Sequence, residues 1–499
     1  FDIPESICMA TNVLTNNVSY NTHVKDWNAA QVTAVTLDSI ANFSTQQIVD
    51  LSTAAIGGFT PAQIQLLSTT NVRALTTAQV AAVSNTQLAS FTTNQVVALQ
   101  QNQIQSITTS GIKGLADTQI KALSTQQLSS IKASQINVLS PAQIRAIASA
   151  NVGSIATSEI GAIAVAELRL LTVQQVYGLI ADQIKILSTE QVGGLTDAQV
   201  MGVESADLQL LSSAQLGALN ATQVGSLSSQ QVRALTTAQF QSMSGSFIAG
   251  LSAAQLGQME TVDLALLSSS QMQAIGNQQI SQLTTGLLSQ LKSDQLNSLS
   301  SSQAGALSLS QVNSLGTTRL GQLATSVINA LSASLVRGLQ ISQIQQLGSQ
   351  QVAALNSDQT QALQNAQVIA LQTSQVQALT TLHLKAMMAS QIGVLGSANM
   401  ALLSPTKLQA VDGSDLAALT TSALTQLTSS VVSNLASSQL SALAATQIGA
   451  LGTSQFNVLS SGQVSALGVA QVGALGEANF KLLGISSLGT AANATPVSY

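Results

Sequence analysis

The sequence predicts an all-α solenoid of 58 octapeptide repeats, with one short capped helix per octad. Three observations predict it. The octad register runs from Trp27 to Thr490 without one insertion or deletion. Each octad carries the residues of a helix start. Proline, acidic and basic residues then separate along the octad as helix polarity requires.

The register comes first, because repeats decide the architecture. LTTAQVAA from Leu75, LSTEQVGG from Leu187, LSSAQLGA from Leu211 and LGTSQFNV from Leu451 show the unit. Position one is apolar throughout. Position six is large and apolar everywhere except Ala304 and Thr360, and position five is Gln in 36 of the 58 octads. Position eight is mostly Ala, Ser or Gly. Loops tolerate length changes readily, so their absence means that every octad residue has a fixed place in a stack.

The helix start follows from residue chemistry. Position one is the hydrophobic N′ residue and position two a Ser, Thr, Gly, Asn or Asp N-cap. Position five supplies the Gln of a capping box, and position six closes the hydrophobic staple. In LSTEQVGG the Ser188 hydroxyl should accept from the Gln191 amide, and the Gln191 side chain should reach back to the Ser188 N–H.

Polarity tests that register independently. Pro61, Pro141 and Pro405 all fall on position three, the first helical residue, where proline sacrifices no hydrogen bond. Sixteen of the 17 acidic residues in the array lie on positions two to five, and 10 of the 14 basic residues lie on position seven. A helix dipole favours that arrangement; a strand has no use for it. A β-solenoid is therefore the alternative and not the leading expectation. One continuous helix fails because an apolar stripe with period eight slips about 80° per repeat.

A helix of five or six residues is not stable alone, so each unit must lean on its neighbours. Positions one and six should form the buried column, small position eight should allow close approach, and position seven should face solvent. The number of octads in one superhelical turn cannot be read from bulky position-eight residues, which show no fixed spacing. The predicted organisation is a non-repeat segment 1–26, the array 27–490 and a tail 491–499.

Composition limits function. Charged residues make up 7% of the 499, aromatics 2% and the apolar set 45%, with a net charge of −5. The balance offers no basic footprint for nucleic acid, and no apolar run is long enough to span a membrane. The single Cys8 excludes an internal disulfide. Cys8, His23 and Asp26 lack any spacing that supports a nucleophilic site, and His383, on position five, reads as a substituted cap residue. No catalytic residue, cofactor site or metal site is expected. The start at Phe1 fits a processed protein or a fragment, and the few lysines with a Ser/Thr/Gln surface fit an extracellular setting.

LTTAQV and FTPAQI resemble the opening of TAL-effector repeats, although the rest of that longer repeat is absent and DNA reading is not expected. The array as a whole resembles the low-complexity Leu/Ser/Gln/Ala repeat regions of large secreted bacterial surface proteins. That resemblance implies a structural or adhesive role.

The functional expectation is a secreted, non-enzymatic subunit of a filament, sheath or surface layer, with an adhesin stalk or a ligand-binding solenoid as the alternative. The partner is a second copy, joined head to tail. The candidate assembly residues are Ile3, Ile7, Val13, Leu14, Val18 and Tyr20 at one end, and Phe480, Leu482, Leu483, Ile485 and Leu488 at the other.

Overall fold

The computed structural model describes residues 24–483. They form a succession of short helices, and no strand occurs among the described residues. The β-solenoid is thereby set aside. The fold is an all-α repeat solenoid, with helices such as Pro61–Leu66, Thr77–Ala82 and Thr189–Gly194 beginning on position three of their octads.

The helix starts form as the residues dictate. Position two is extended (Ser188 φ −69°, ψ 162°) and the following residues are helical. The Gln191 N–H donates to Ser188 Oγ at 3.0 Å, and the Ser188 N–H donates to Gln191 Oε1 at 2.8 Å. The Gln half of the box survives where position two has no acceptor side chain: the Ala116, Ala436 and Met388 N–H groups still donate to Gln119, Gln439 and Gln391. Pro61, Pro141 and Pro405 each occupy the first turn of their helices. In the octad from Ile147 the segment Ser149–Ser154 is a 3-10 helix.

Burial follows the octad. Position six is closed off (Val192 1% exposed), position one nearly so (Leu187 4%). The aromatic side chains of Phe43, Phe59 and Phe91 are buried on position one, and the half-buried Trp27 ring lies 6.2 Å from that of Phe43. Thr360, intruding on position six, is buried and donates its hydroxyl to the Asn356 carbonyl at 2.9 Å. Arg73, Lys121, Arg145, Lys185 and Arg233, all on position seven, are exposed.

Turn spacing, which position eight hides, is set by hydrogen bonds. Position-five side chains donate to carbonyls 28 and 31 residues earlier, as Gln95 does to Leu67 and Ile64. Packed helices are three octads apart, as Pro61–Leu66 and Asn85–Ser90 are, so one turn takes about three octads. Small residues at position eight permit the close approach this needs. A Cβ on Gly114 would lie 1.9 Å from the Asn85 carbonyl oxygen, and one on Gly58 would lie 2.1 Å from that of Ala29.

Two junctions depart from the pattern. At Gly316 (φ 70°) and Gly396 (φ 76°) position two adopts the left-handed conformation that glycine tolerates. Position five of those octads holds Arg319, which has no acceptor, or Asn399, which is one methylene shorter than Gln. Gly348 and Gly452, whose octads keep Gln351 and Gln455, remain extended. Gly476 is extended as well, although its position five is Asn479, so a Gln acceptor accompanies the extended form without being required for it. The chain divides into two compact units at Gln258–Met259, each built from the same octad stack; the octad register runs through the division unchanged.

Candidate functional site

Position five is the most chemically engaged position of the repeat. A primary amide has one acceptor oxygen and two donor hydrogens, and Gln79 uses both ends. Its Oε1 accepts from the Thr76 N–H at 2.8 Å. Its Nε2 donates to the Ile48 and Leu51 carbonyls, each at 2.7 Å. Those carbonyls close the end of one helix and open the next; the Ile48 carbonyl also accepts from the Leu51 N–H at 3.3 Å, whereas the Leu51 carbonyl lies between helices, where backbone acceptors lack an intrahelical partner. The side chain is 2% exposed. The same arrangement recurs at Gln87, Gln175, Gln303 and Gln391. Sequence reasoning found the capping half of this role and missed the half that joins turns.

Some substitutions at position five keep a donor to the previous turn. Asn71 and Asn479 reach only the carbonyl 28 residues back, Phe43 at 2.9 Å and Leu451 at 2.6 Å. Asn479 leaves its Oδ1 buried and unpaired. Arg319 donates to the Ser289 and Leu291 carbonyls, and Lys407 donates to that of Gln377. His383 is a cap residue, as its position implies. Its Nδ1 accepts from the Thr380 N–H at 3.1 Å, and its Nε2 lies 2.7 Å from the Leu355 carbonyl, which requires the Nε2–H tautomer. Burial holds the ring below the ordinary histidine range; the Leu355 bond opposes this and the charge of Lys407 adds to it.

A second ladder runs on the outer surface. Position-seven amides donate to position-eight carbonyls 25 residues later: Gln209 to Ala234 at 2.7 Å and Asn297 to Gln322 at 3.1 Å. Asn297 Oδ1 also accepts from the Ala324 N–H at 2.6 Å, in an octad whose position five is Val327. Asn137 serves Ala164 in the same way, where position five is Glu167. An asparagine one turn earlier thus replaces the missing Gln acceptor.

Titratable groups off the ladder are few. Asp207 is raised by burial and by the neighbouring Glu204 charge, and Asp415 by burial and by Asp412. Tyr177, exposed, is raised by its hydrogen bond to Glu204. Among the described residues, no group of three His, Cys, Asp or Glu side chains is placed to hold a metal ion, and no helix is long and apolar enough to cross a membrane.

Of the candidate assembly residues, Phe480 and Leu482 are each 45% exposed, whereas Leu483 is 5% exposed and packs inward. Ile3, Ile7, Val13, Leu14, Val18, Tyr20, Ile485 and Leu488 lie outside the described residues, as do Cys8 and His23. Two open grooves mark the surface. One of about 550 Å³ is lined by Thr325, Asn329, Asn356 and Leu382; the other, of about 540 Å³, lies between Arg73, Val97, Asn102 and Gln126.

The string ALTTAQ itself stands at Ala74–Gln79 and Ala234–Gln239. No curated protein matches the chain. Residues 200–237, 432–469 and 444–477 match the ALTTAQ repeat family, so the chain is a repeat protein that carries this unit in several places.

Proposed function

We propose that the chain is a structural protein whose copies associate head to tail into an extracellular filament, sheath or surface layer. The observation that supports this most is the position-five ladder, in which each turn supplies the donors that the previous turn's carbonyls need. A turn without a successor presents acceptor carbonyls and apolar side chains, and a second copy of the same stack offers their complement. Contact between unlike ends gives open assemblies when it does not close into a ring. Phe480 and Leu482, exposed on the last described helix, are the apolar part of that surface. The two surface grooves favour a second reading, an adhesin stalk or ligand-binding solenoid.

Electron microscopy and sedimentation of the full chain separate these readings. End-to-end association predicts polymers that grow with concentration. Phe480→Asp combined with Leu482→Asp, or removal of residues 1–20, should leave a helical protein that no longer polymerises. A full chain that stays monomeric at high concentration would favour the second reading.

A further inference from the structure

We propose that the row of cations formed by Arg73, Lys121, Arg145 and Arg169 binds a linear acidic polysaccharide. The row follows from turn geometry and needs no filament. A position-seven side chain reaches the position-eight carbonyl 25 residues later, as Asn137 does to Ala162 within this same stretch. Position seven of one octad therefore lies against position seven of the octad three further on, 24 residues later. Stepping by 24 from Arg73 gives Val97, Lys121, Arg145 and Arg169.

All four cations are exposed, and none makes a side-chain hydrogen bond or ion pair among the described residues. The ion pairs present, Lys185–Asp182 and Lys481–Glu477, involve other residues. The helix dipole explains why a cation sits at position seven. It does not explain why half of the ten position-seven cations fall within 73–169, where like charges on neighbouring turns repel. The fold does not demand them, since Gln65, Ala81 and Gly217 occupy the same position. The net charge of −5 conceals this local excess.

The surroundings select the ligand. Packed helices stand roughly 8–10 Å apart, about the length of one disaccharide, so the row offers one cation per two sugars from Lys121 to Arg169, with Val97 interrupting it before Arg73. The groove of about 540 Å³ beside Arg73 presents the amides and hydroxyl of Gln100, Asn102, Ser124 and Gln126, which suit sugar hydroxyls. Single-stranded nucleic acid is bound by stacking bases on aromatic side chains. Phe91, the aromatic residue of the stretch 73–169, is buried. A row one residue wide is also too narrow for the phosphates of a duplex.

Calorimetry on the full chain tests this with polygalacturonate and heparin oligosaccharides at low salt, with a single-stranded DNA oligomer beside them. The row variant carries Arg73→Gln, Lys121→Gln, Arg145→Gln and Arg169→Gln. The control carries Arg233→Gln, Arg337→Gln, Lys385→Gln and Lys481→Gln, which removes the same charge from the same octad position. The native chain should bind a polysaccharide and weaken as salt is raised. The row variant should lose about tenfold or more in affinity and the control less than about twofold. Matched far-ultraviolet circular dichroism establishes folding; should the row variant not fold, Lys121→Gln and Arg145→Gln singly should each weaken binding. Absence of binding to both polysaccharides, equal loss in the two variants, or tighter binding of DNA would overturn the proposal.

Discussion

Gln79 and Leu51, 28 residues apart, are joined by a 2.7 Å hydrogen bond from the Gln79 Nε2 to the Leu51 carbonyl, while the same side chain caps its own helix at Thr76. One residue type thus performs the local and the long-range task. A helix of six residues has about as many unpaired backbone groups at its ends as paired ones inside. The repeat is stable as a stack because those end groups are satisfied from the next turn.

Replacing that amide separates its two tasks. Gln95→Ala removes the acceptor for Thr92 and both donors, leaving the Leu67 carbonyl buried without a partner and the Ile64 carbonyl with only the Leu67 N–H. The expected loss is about 2–4 kcal/mol. Gln95→Glu keeps an acceptor for Thr92 but turns a carboxylate towards two carbonyls, so at neutral pH it should cost at least as much. Its folded-state pKa must be raised, since burial and the carbonyls disfavour the anion. The penalty is full above that value and relieved as pH falls through it, when the protonated acid can donate. Urea melts of both variants at pH 4 and pH 8 check the order and the recovery.

How much of this is legible without coordinates divides at the turn. The cap pairs Ser188–Gln191 and Thr76–Gln79 are three residues apart and are written in side chains, so their pattern announces them. The bond from Gln79 to Leu51 ends on a backbone carbonyl, which has no letter, and every octad offers an equivalent carbonyl. No unique pairing then stands out. The outward charge of Arg145 was legible for the same local reason, but its place beside Lys121 and Arg169 appears only once the turn spacing is known. The left-handed glycines at 316 and 396 resemble the extended Gly348, Gly452 and Gly476 in sequence, so the letter at position two does not announce the conformation.

His383 makes one octad sensitive to pH. Its folded-state pKa lies below the ordinary value, so the unfolded chain takes up the proton first. The stability contributed by the neutral ring is present above about pH 6.5 and is lost as pH falls towards the folded-state value. His383→Gln restores the usual amide and should abolish that loss. Hydrogen exchange of the helix Thr381–Ala386 at pH 5 and pH 7.5 measures it: the native chain should exchange faster at the lower pH, after correction for intrinsic rates, and the variant should not.

Eight residues should behave as the unit of tolerated change. Removing Leu219–Ser226 brings equivalent carbonyls under every later Gln, because positions one and six recur in each octad. Removing Asn220 alone displaces each later cap and amide by one residue relative to the preceding turns. Thermal melts should show a small shift for the octad deletion and a collapse of the cooperative transition for the single deletion. Equal damage would contradict the register.

Glycine serves two opposed purposes here, and Gly114 and Gly217 separate them. At Gly114 an added Cβ would lie 1.9 Å from the Asn85 carbonyl oxygen and 2.6 Å from its carbon, both backbone atoms that cannot move without opening the turn contact. Gly217 ends the helix Ser213–Gly217, and nothing lies within 4 Å of the same added atom. Gly114→Ala should therefore destabilise, by about 1–3 kcal/mol if the neighbouring turn shifts as overpacked cores do. Gly217→Ala should stabilise by about 0.5–1 kcal/mol, since alanine loses less backbone freedom on becoming helical. Chemical denaturation of the two variants beside the native chain gives the signs directly. Opposite shifts are expected; a stabilised Gly114→Ala would mean that the turns stand further apart than the 25- to 31-residue hydrogen bonds place them.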